Sequence, residues 1–427
     1  MSKANKIRES FIGVGVIKLA SIPISLAVSI LLARALGPEG FGRYAFIMAL
    51  VPLFSLPVAG GLAQLLTREV ATFRHGSNWR LYNGALRTAH VWVLLASVTV
   101  LALYWCTATY TELIPAGGKW ALLPVALLLI PLNGLTAVRN GTIKGLGKPA
   151  IAELPGQLLQ PATVLLVLGV LLLTDNLGAG AAAVWAQVGA ALVTFAVATW
   201  LFVRVQPTAA QSAGAEYRVA YWRAALLPFT MLALVSVFNA QIGIVILGLM
   251  GTDEQVAAMR IAERGAQFVG LSLVLVNMVI APHIVYAFRD RDFRRLQMLA
   301  RRTAKGSFLL ALPVALTLVV FGRQLIDLVF GAEYGGIAYL PLVILACGQL
   351  VNVCFGPVGN LLSMSGYEKS TLFGMLIALS ASGIACIVLV PVYGAVGAAF
   401  GATLGLIASN LFLVFRVRHL IFVQNRT

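Results

Sequence analysis

The chain has 427 residues, of which 60% are hydrophobic and 11% charged. A mean hydropathy of +0.91, with apolar runs of about 18 residues or more along most of the length, excludes a soluble globular protein and indicates membrane-spanning helices. Lys and Arg (31) outnumber Asp and Glu (15), but in so apolar a chain the excess bears on loop topology rather than on nucleic acid.

Taken in chain order, Lys3, Lys6 and Arg8 precede an apolar run from Phe11 to Ala33. That run exceeds a signal-peptide core and lacks a small-residue cleavage site, so it reads as the first span. Twelve spans are expected, at about 11–33, 44–66, 88–108, 120–138, 155–173, 181–203, 224–250, 256–283, 307–322, 337–362, 371–391 and 394–415. Six fall in each half: an N-terminal six-helix bundle over 1–203, a cytoplasmic linker over 204–223 rich in Ala, Gln and Ser, and a C-terminal six-helix bundle over 224–427. With both termini cytoplasmic, 24 of the 31 Lys and Arg fall on the cytoplasmic side, including Arg139, Arg301 and Arg426, while Arg34, Arg43, Lys119 and Arg323 fall on the other. The positive-inside rule supports this orientation.

The two halves resemble each other. ILLARALGPEGFGRYAFIM from Ile30 to Met48 joins two apolar segments through a tight charged turn, and a degenerate copy returns in VILGLMGTDEQVAAMRIA from Val245 to Ala262. Asn133 and Gly147 fall opposite Asn352 and Gly366, and Gly178-Ala179 falls opposite Gly394-Ala395. The chain therefore reads as a tandem duplication. An even number of spans in each copy predicts halves related by an axis along the membrane normal, with a site between them near the midplane.

Polar residues inside spans mark the candidate site. Lys18, Ser21, Ser25 and Ser29 form one stripe on the first helix. Arg260, Glu263, Arg264 and Gln267 share a face of the eighth, with Arg264 about 12 Å along it at 1.5 Å per residue. Gln64 and Arg68 lie on the second span, and Asn239 and Gln241 on the seventh. A charge at the centre of a span costs about 2.5–3.5 kcal/mol on insertion scales, so these groups are expected to face a wet cavity or a partner. Plainer roles compete: Lys18 can snorkel to the interface, Glu263 can neutralise Arg260 or Arg264, and the arginines from Arg289 to Arg302 can set topology and touch lipid headgroups. Pro52 and Pro57 allow a kink in the second span. Gly397, Gly401 and Gly405 read as a packing face.

Other chemistry is not supported. Cys106, Cys347, Cys354 and Cys386 lie in apolar runs without metal-ligand spacing and read as reduced packing residues. KGLGK from Lys144 to Lys148 fails as a phosphate loop, because Pro149 stands where Ser or Thr is required. There is no acid/base or nucleophile constellation, which argues against an enzyme, and no pattern for a metal or cofactor.

LARALGPEGFGRYAF, AAMRIAERGAQFVG with Ala281-Pro282, LVFGAEY from Leu328 to Tyr334 and PVYGAVGAA from Pro391 to Ala399 resemble the polysaccharide flippases of the multidrug/oligosaccharidyl-lipid/polysaccharide exporter superfamily. The likeness spans essentially the whole chain, although Met259 stands where the second copy would show an aromatic residue, and the two extra C-terminal spans usual in lipid II flippases are not present. It implies an all-α inner-membrane flippase moving polyprenyl-pyrophosphate-linked oligosaccharide to the periplasmic leaflet for lipopolysaccharide or exopolysaccharide assembly, with a polysaccharide polymerase as partner. A drug or cation antiporter of the same fold is the main alternative, and a membrane glycan polymerase or ligase the second.

Overall fold

A computed structural model describes residues 3–110, 117–174 and 180–423, and the side chains of 13–110, 117–174, 180–277, 280 and 283–420. The side chains of Lys3, Lys6, Arg8, Ala281 and Pro282, together with residues Gly178, Ala179 and Arg426, lie outside that set. The long helices are α1 (Lys3–Phe54), α2 (Leu62–His75), α3 (Trp79–Tyr110), α4 (Leu129–Gly145), α5 (Gln160–Leu173), α6 (Gly180–Val205), α7 (Val219–Met250), α8 (Asp253–Arg289), α9 (Phe293–Val329), α10 (Ala332–Phe355) and α11 (Glu368–Val417). No strand occurs among the described residues. Nine helical stretches there are long and apolar enough to cross a membrane, two of which, Gly13–His75 and Glu368–Leu420, run to 63 and 53 residues. Each of these two is interrupted by a glycine with positive φ, Gly37 (65°) in α1 and Gly394 (53°) in α11. Only glycine takes that backbone without steric cost. Counting each of the two as a pair of crossings and adding the 37-residue α8 gives the expected twelve.

The expected spans need three corrections. The second is not one rod, because the chain breaks at Ser55 and again at Gly60-Gly61, where Gly61 has φ 75° and caps α2. Pro57 sits in the short turn of helix between these breaks and contributes no backbone N–H. The tenth ends at Phe355 rather than near 362, since Gly356 takes φ 73° and a separate turn, Val358–Met364, follows. The ninth is the middle of a longer helix: Arg294 to Lys305, expected in a loop, form the first turns of α9.

The chain divides into two compact units, residues 1–37 with 47–237, and residues 38–46 with 238–427. In the first unit α2 packs on α4 through small residues. A Cβ on Gly141 would stand 2.6 Å from the Ala63 carbonyl oxygen, and one on Gly145 would stand 2.6 Å from Val70 Cβ. Close backbone approach of this kind is how helices associate where lipid gives no hydrophobic drive. In the second unit Gly397, Gly401 and Gly405 are buried against Leu389, Cys386 and Ser382 of the same folded helix, as the packing reading expects. Of the cysteines only Cys386 is packed in this way. Cys106, Cys347 and Cys354 are exposed, which corrects the expectation for those three.

The duplication is written most clearly in the turns. Ser77 and Arg291, 214 residues apart, are the non-glycine positive-φ residues among those described, at 53° and 55°. The hydrogen bonds around them also repeat. Asn78 N–H donates to Phe73 O (2.9 Å) and Trp79 N–H to Ser77 O (3.0 Å), while Asp292 N–H donates to Ala287 O (2.9 Å) and Phe293 N–H to Arg291 O (3.1 Å). Gly147 and Gly366 take φ 78° and 82°. Lys148 N–H there donates to Ile143 O (3.2 Å) and Tyr367 N–H to Leu362 O (2.9 Å). These reproduce the 6→1 closure of a left-handed, Schellman-type C-terminal cap in both copies.

Candidate functional site

In the second unit, α8 starts with a capping box: Thr252 accepts from Gln255 N–H and Gln255 reaches back, with Asp253 and Glu254 in the positively polarised first turn. The opening motif docks here. Arg43 Nε donates to Asp253 Oδ2 at 3.0 Å and also pairs with Glu39. Gly42 is required because any Cβ would collide with the Asp253 carbonyl. The motif conserves no chemistry in this contact; it positions the start of α8.

One to three turns further on, Arg260 and Glu263 form an ion pair at 3.1 Å, with side chains 19% and 23% exposed. Arg260 also reaches Gln241 Oε1 of α7 and the Ala45 carbonyl, each at 3.5 Å. Beside this pair is Arg264, whose Nε is buried without a hydrogen-bond partner. Two guanidinium groups therefore share one carboxylate, and the group carries one excess positive charge. Withdrawing a charge from water costs several kcal/mol unless it is paired, so a half-buried surplus cation is the most ligand-ready feature of this unit. Gln267 is exposed on the next turn. Asn239 is engaged elsewhere, donating to Met375 O at 2.9 Å.

The remaining predicted residues lie in the first unit. Lys18 is exposed and Ser25 half-buried. The stripe is partly spent on its own helix: Ser21 Oγ donates to Lys18 O (2.8 Å) and Ser29 Oγ to Ser25 O (3.0 Å). Arg68 is paired with buried Glu69 at 2.8 Å and lies 5.2 Å from the centre of the Phe229 ring, while Gln64, one turn earlier, is exposed. Sequence reading missed Glu69 as the partner of Arg68, although the adjacent opposite charges were its signal.

It also placed Arg139 in a loop. The structure puts Arg139 in α4, against His90 of α3, with Nε 3.4 Å from Thr199 Oγ1 and the guanidinium 5.0 Å from the Phe202 ring centre. His90 Nδ1 lies 2.6 Å from Leu86 O. That nitrogen must carry the hydrogen and donate, leaving Nε2 to accept from Arg139. Hydropathy alone could not find this group, because its members come from three helices.

Residues 7–288 match the model of a family described as polysaccharide biosynthesis protein. A search of curated proteins returns no match. Among solved structures, the chain is similar to a multidrug resistance MATE family transporter of the MOP superfamily in an inward-facing conformation, at 16% identity and TM-score 0.78, covering 95% of this chain and 96% of that one. It is also similar to the lipid II flippase MurJ in an inward closed conformation, at 14% identity and TM-score 0.74, covering 95% and 87%. A MOP superfamily transporter from Pyrococcus furiosus aligns at 16% identity and TM-score 0.62, covering 96% and 95%. At these identities the likeness establishes the fold. Because the family match takes in more than half of the chain, the protein belongs to the polysaccharide biosynthesis protein family.

Proposed function

We propose that the chain is a flippase that moves a polyprenyl-pyrophosphate-linked oligosaccharide from the cytoplasmic to the periplasmic leaflet of a bacterial inner membrane by alternating access. The observation that carries this reading is the charge balance on α8, where Arg260 takes the carboxylate of Glu263 and Arg264 is left with a buried, unpartnered Nε. A pyrophosphate is the complementary ligand: it is polyanionic, accepts charge-assisted hydrogen bonds and fits the planar fork of a guanidinium. Family membership supports a glycan substrate, and MurJ, similar in fold, is described as a lipid II flippase. Lys18, Ser25, Gln64, Arg68, Asn239, Gln241, Arg260, Glu263, Arg264 and Gln267 remain the proposed substrate contacts. Arg264 and Lys18 rank first, since Asn239 and Arg68 have protein partners. The product would serve lipopolysaccharide or exopolysaccharide assembly and pass to a polymerase.

Antiport of a drug or cation draws on the fold likeness to the MATE transporter. Such a protein needs an available carboxylate among its substrate contacts, whereas beside the contacts proposed here Glu263 is bound by Arg260 at 3.1 Å and Glu69 by Arg68 at 2.8 Å. The test is a deletion strain complemented with wild type, Lys18→Ala or Arg264→Ala at matched protein level. Flipping predicts lipid-linked oligosaccharide trapped in the cytoplasmic leaflet of the deletion strain, and export at least about tenfold lower in Arg264→Ala, the loss of about 1.4 kcal/mol of anion binding. Normal leaflet distribution together with altered drug sensitivity would replace flipping by antiport.

A further inference from the structure

The turns fix the register of the two copies, so α3 and α9 can be compared position by position. Ser77 matches Arg291, which places Arg80, Asn83, Gly84, Arg87, Thr88 and Val91 opposite Arg294, Gln297, Met298, Arg301, Arg302 and Lys305. In the first unit this face is covered by the chain itself. Asn83 Nδ2 donates to Ala210 O (2.7 Å) and Ala213 O (2.8 Å), and Glu216 N–H donates to Arg80 O (2.9 Å). Gly84 lets the covering segment lie directly on the helix, since a Cβ there would collide with the Glu216 carbonyl oxygen.

The second unit has lost the glycine that makes this possible. Glycine becomes Met298, 44% exposed, whose side chain stands where the covering backbone would lie. Thr88 and Val91 become Arg302 and Lys305. The result is an open cleft of about 310 Å³ lined by Arg294, Gln297, Met298, Arg301, Arg302 and Lys305. Its lining holds four cations and no acid. A face that meets carbonyl oxygens in one copy has become, in the other, a cleft suited to a full negative charge. One turn beyond Lys305 the same helix presents Leu309 and Leu310, 72% and 60% exposed, followed by Leu316, Val320 and Phe321. Cationic cleft and apolar exposed side are thus adjacent on one helix, and the ligand they fit has an anionic head and a hydrocarbon tail.

We infer that the first turns of α9 form a binding site for an anionic phospholipid, with Arg294, Arg301, Arg302 and Lys305 holding the phosphate and the exposed leucines meeting the acyl chains. Gln297 supplies an amide donor, as Asn83 does to its own chain in the first unit. The site uses none of the residues proposed above for glycan transport. Neutralising the cations would also weaken the positive-inside signal, so two variants are needed. One is Arg301→Gln/Arg302→Gln/Lys305→Gln. The other is Met298→Glu, which keeps every cation and puts a carboxylate in the cleft.

The experiment is native mass spectrometry of the full-length protein, delipidated in detergent and titrated with phosphatidylglycerol or phosphatidylcholine. Wild type should retain phosphatidylglycerol at least about tenfold better than phosphatidylcholine, and both variants should reduce that preference to about twofold or less while leaving phosphatidylcholine unchanged. Equal retention of the two lipids by wild type, or an unchanged preference in Met298→Glu, overturns the site. Inorganic pyrophosphate is the discriminating competitor. Failure to displace phosphatidylglycerol at matched concentration supports a lipid site, whereas displacement by pyrophosphate as effective as by unlabelled phosphatidylglycerol means that a free phosphate is the ligand and overturns the lipid assignment.

Discussion

The copies of one ancestral bundle have kept their turns and exchanged their polar interiors. In the first unit Gly141 packs on Ala63 with the hydroxyl of Thr67 donating to both carbonyls, at 3.2 and 2.7 Å, while at the matching positions of the second Asn360 Nδ2 donates to Asn277 O at 3.4 Å. Asn352 accepts from Asn410 Nδ2 at 2.8 Å, but the counterpart of Asn410 is Thr194, whose buried Oγ1 has no partner. Buried charge differs in the same way. Arg260 rests on a carboxylate, whereas Arg139 rests on a neutral histidine and two aromatic faces. Turn geometry is conserved because a left-handed backbone tolerates few residues, while a helix interior accepts any set of side chains that satisfies its own hydrogen bonds.

The largest effect that would test this contrast comes from the two arginines. Arg260→Met leaves Glu263 facing Arg264 alone, while adding Glu263→Gln takes the last carboxylate from Arg264, so the double variant should cost about 3–5 kcal/mol, seen as loss of monodisperse protein on size exclusion, and the single variant less. Arg139→Met leaves only neutral partners and should cost about 1 kcal/mol or less. Equal losses would mean that the two cations are held alike.

Next comes the break in the second span. A Cβ on Gly61 would meet the Phe229 backbone at 2.5 Å at a φ of 75°, so Gly61→Ala should cost about 3 kcal/mol through overpacking plus left-handed strain. At the matching position of continuous α8, Leu275→Gly should cost the helix-propensity difference, about 1 kcal/mol, plus the packing of a side chain that is 39% exposed, with no left-handed strain. Thermal unfolding in detergent ranks the pair, with Gly169→Ala, where a Cβ meets nothing within 4 Å, as control.

Smaller effects sharpen the comparison. Asn410→Leu leaves Asn352 unsatisfied and should lower stability by about 1–3 kcal/mol, whereas Thr194→Val removes an orphaned hydroxyl and should be neutral or slightly stabilising. Thr252→Ala removes the capping box at the start of α8 and should cost about 1 kcal/mol. Gly37→Ala, at the matching turn with open space around a Cβ, should cost a similar amount from backbone strain alone. Denaturation midpoints of the four variants decide whether the two turns, built differently, carry equal weight.

Much of this molecule is set by local sequence. Apolar runs long enough to cross a membrane declare the helices, and glycines such as Gly37, Gly147, Gly366 and Gly394 declare the reversals, because span length and left-handed φ depend on residues near one another in the chain. The grouping of Arg260, Glu263 and Arg264 on one face was equally legible, since helical periodicity alone brings them together. Tertiary structure decided what those residues meet. Lys18 emerged exposed and Asn239 was claimed by the Met375 carbonyl. Arg139 left its expected loop for a niche built by α3, α4 and α6, and the arginines of α9 came to line a cleft. Each of those outcomes depends on side chains or backbone brought close by helix packing across tens to hundreds of residues of sequence, and periodicity within one helix carries no information about the neighbour it will face.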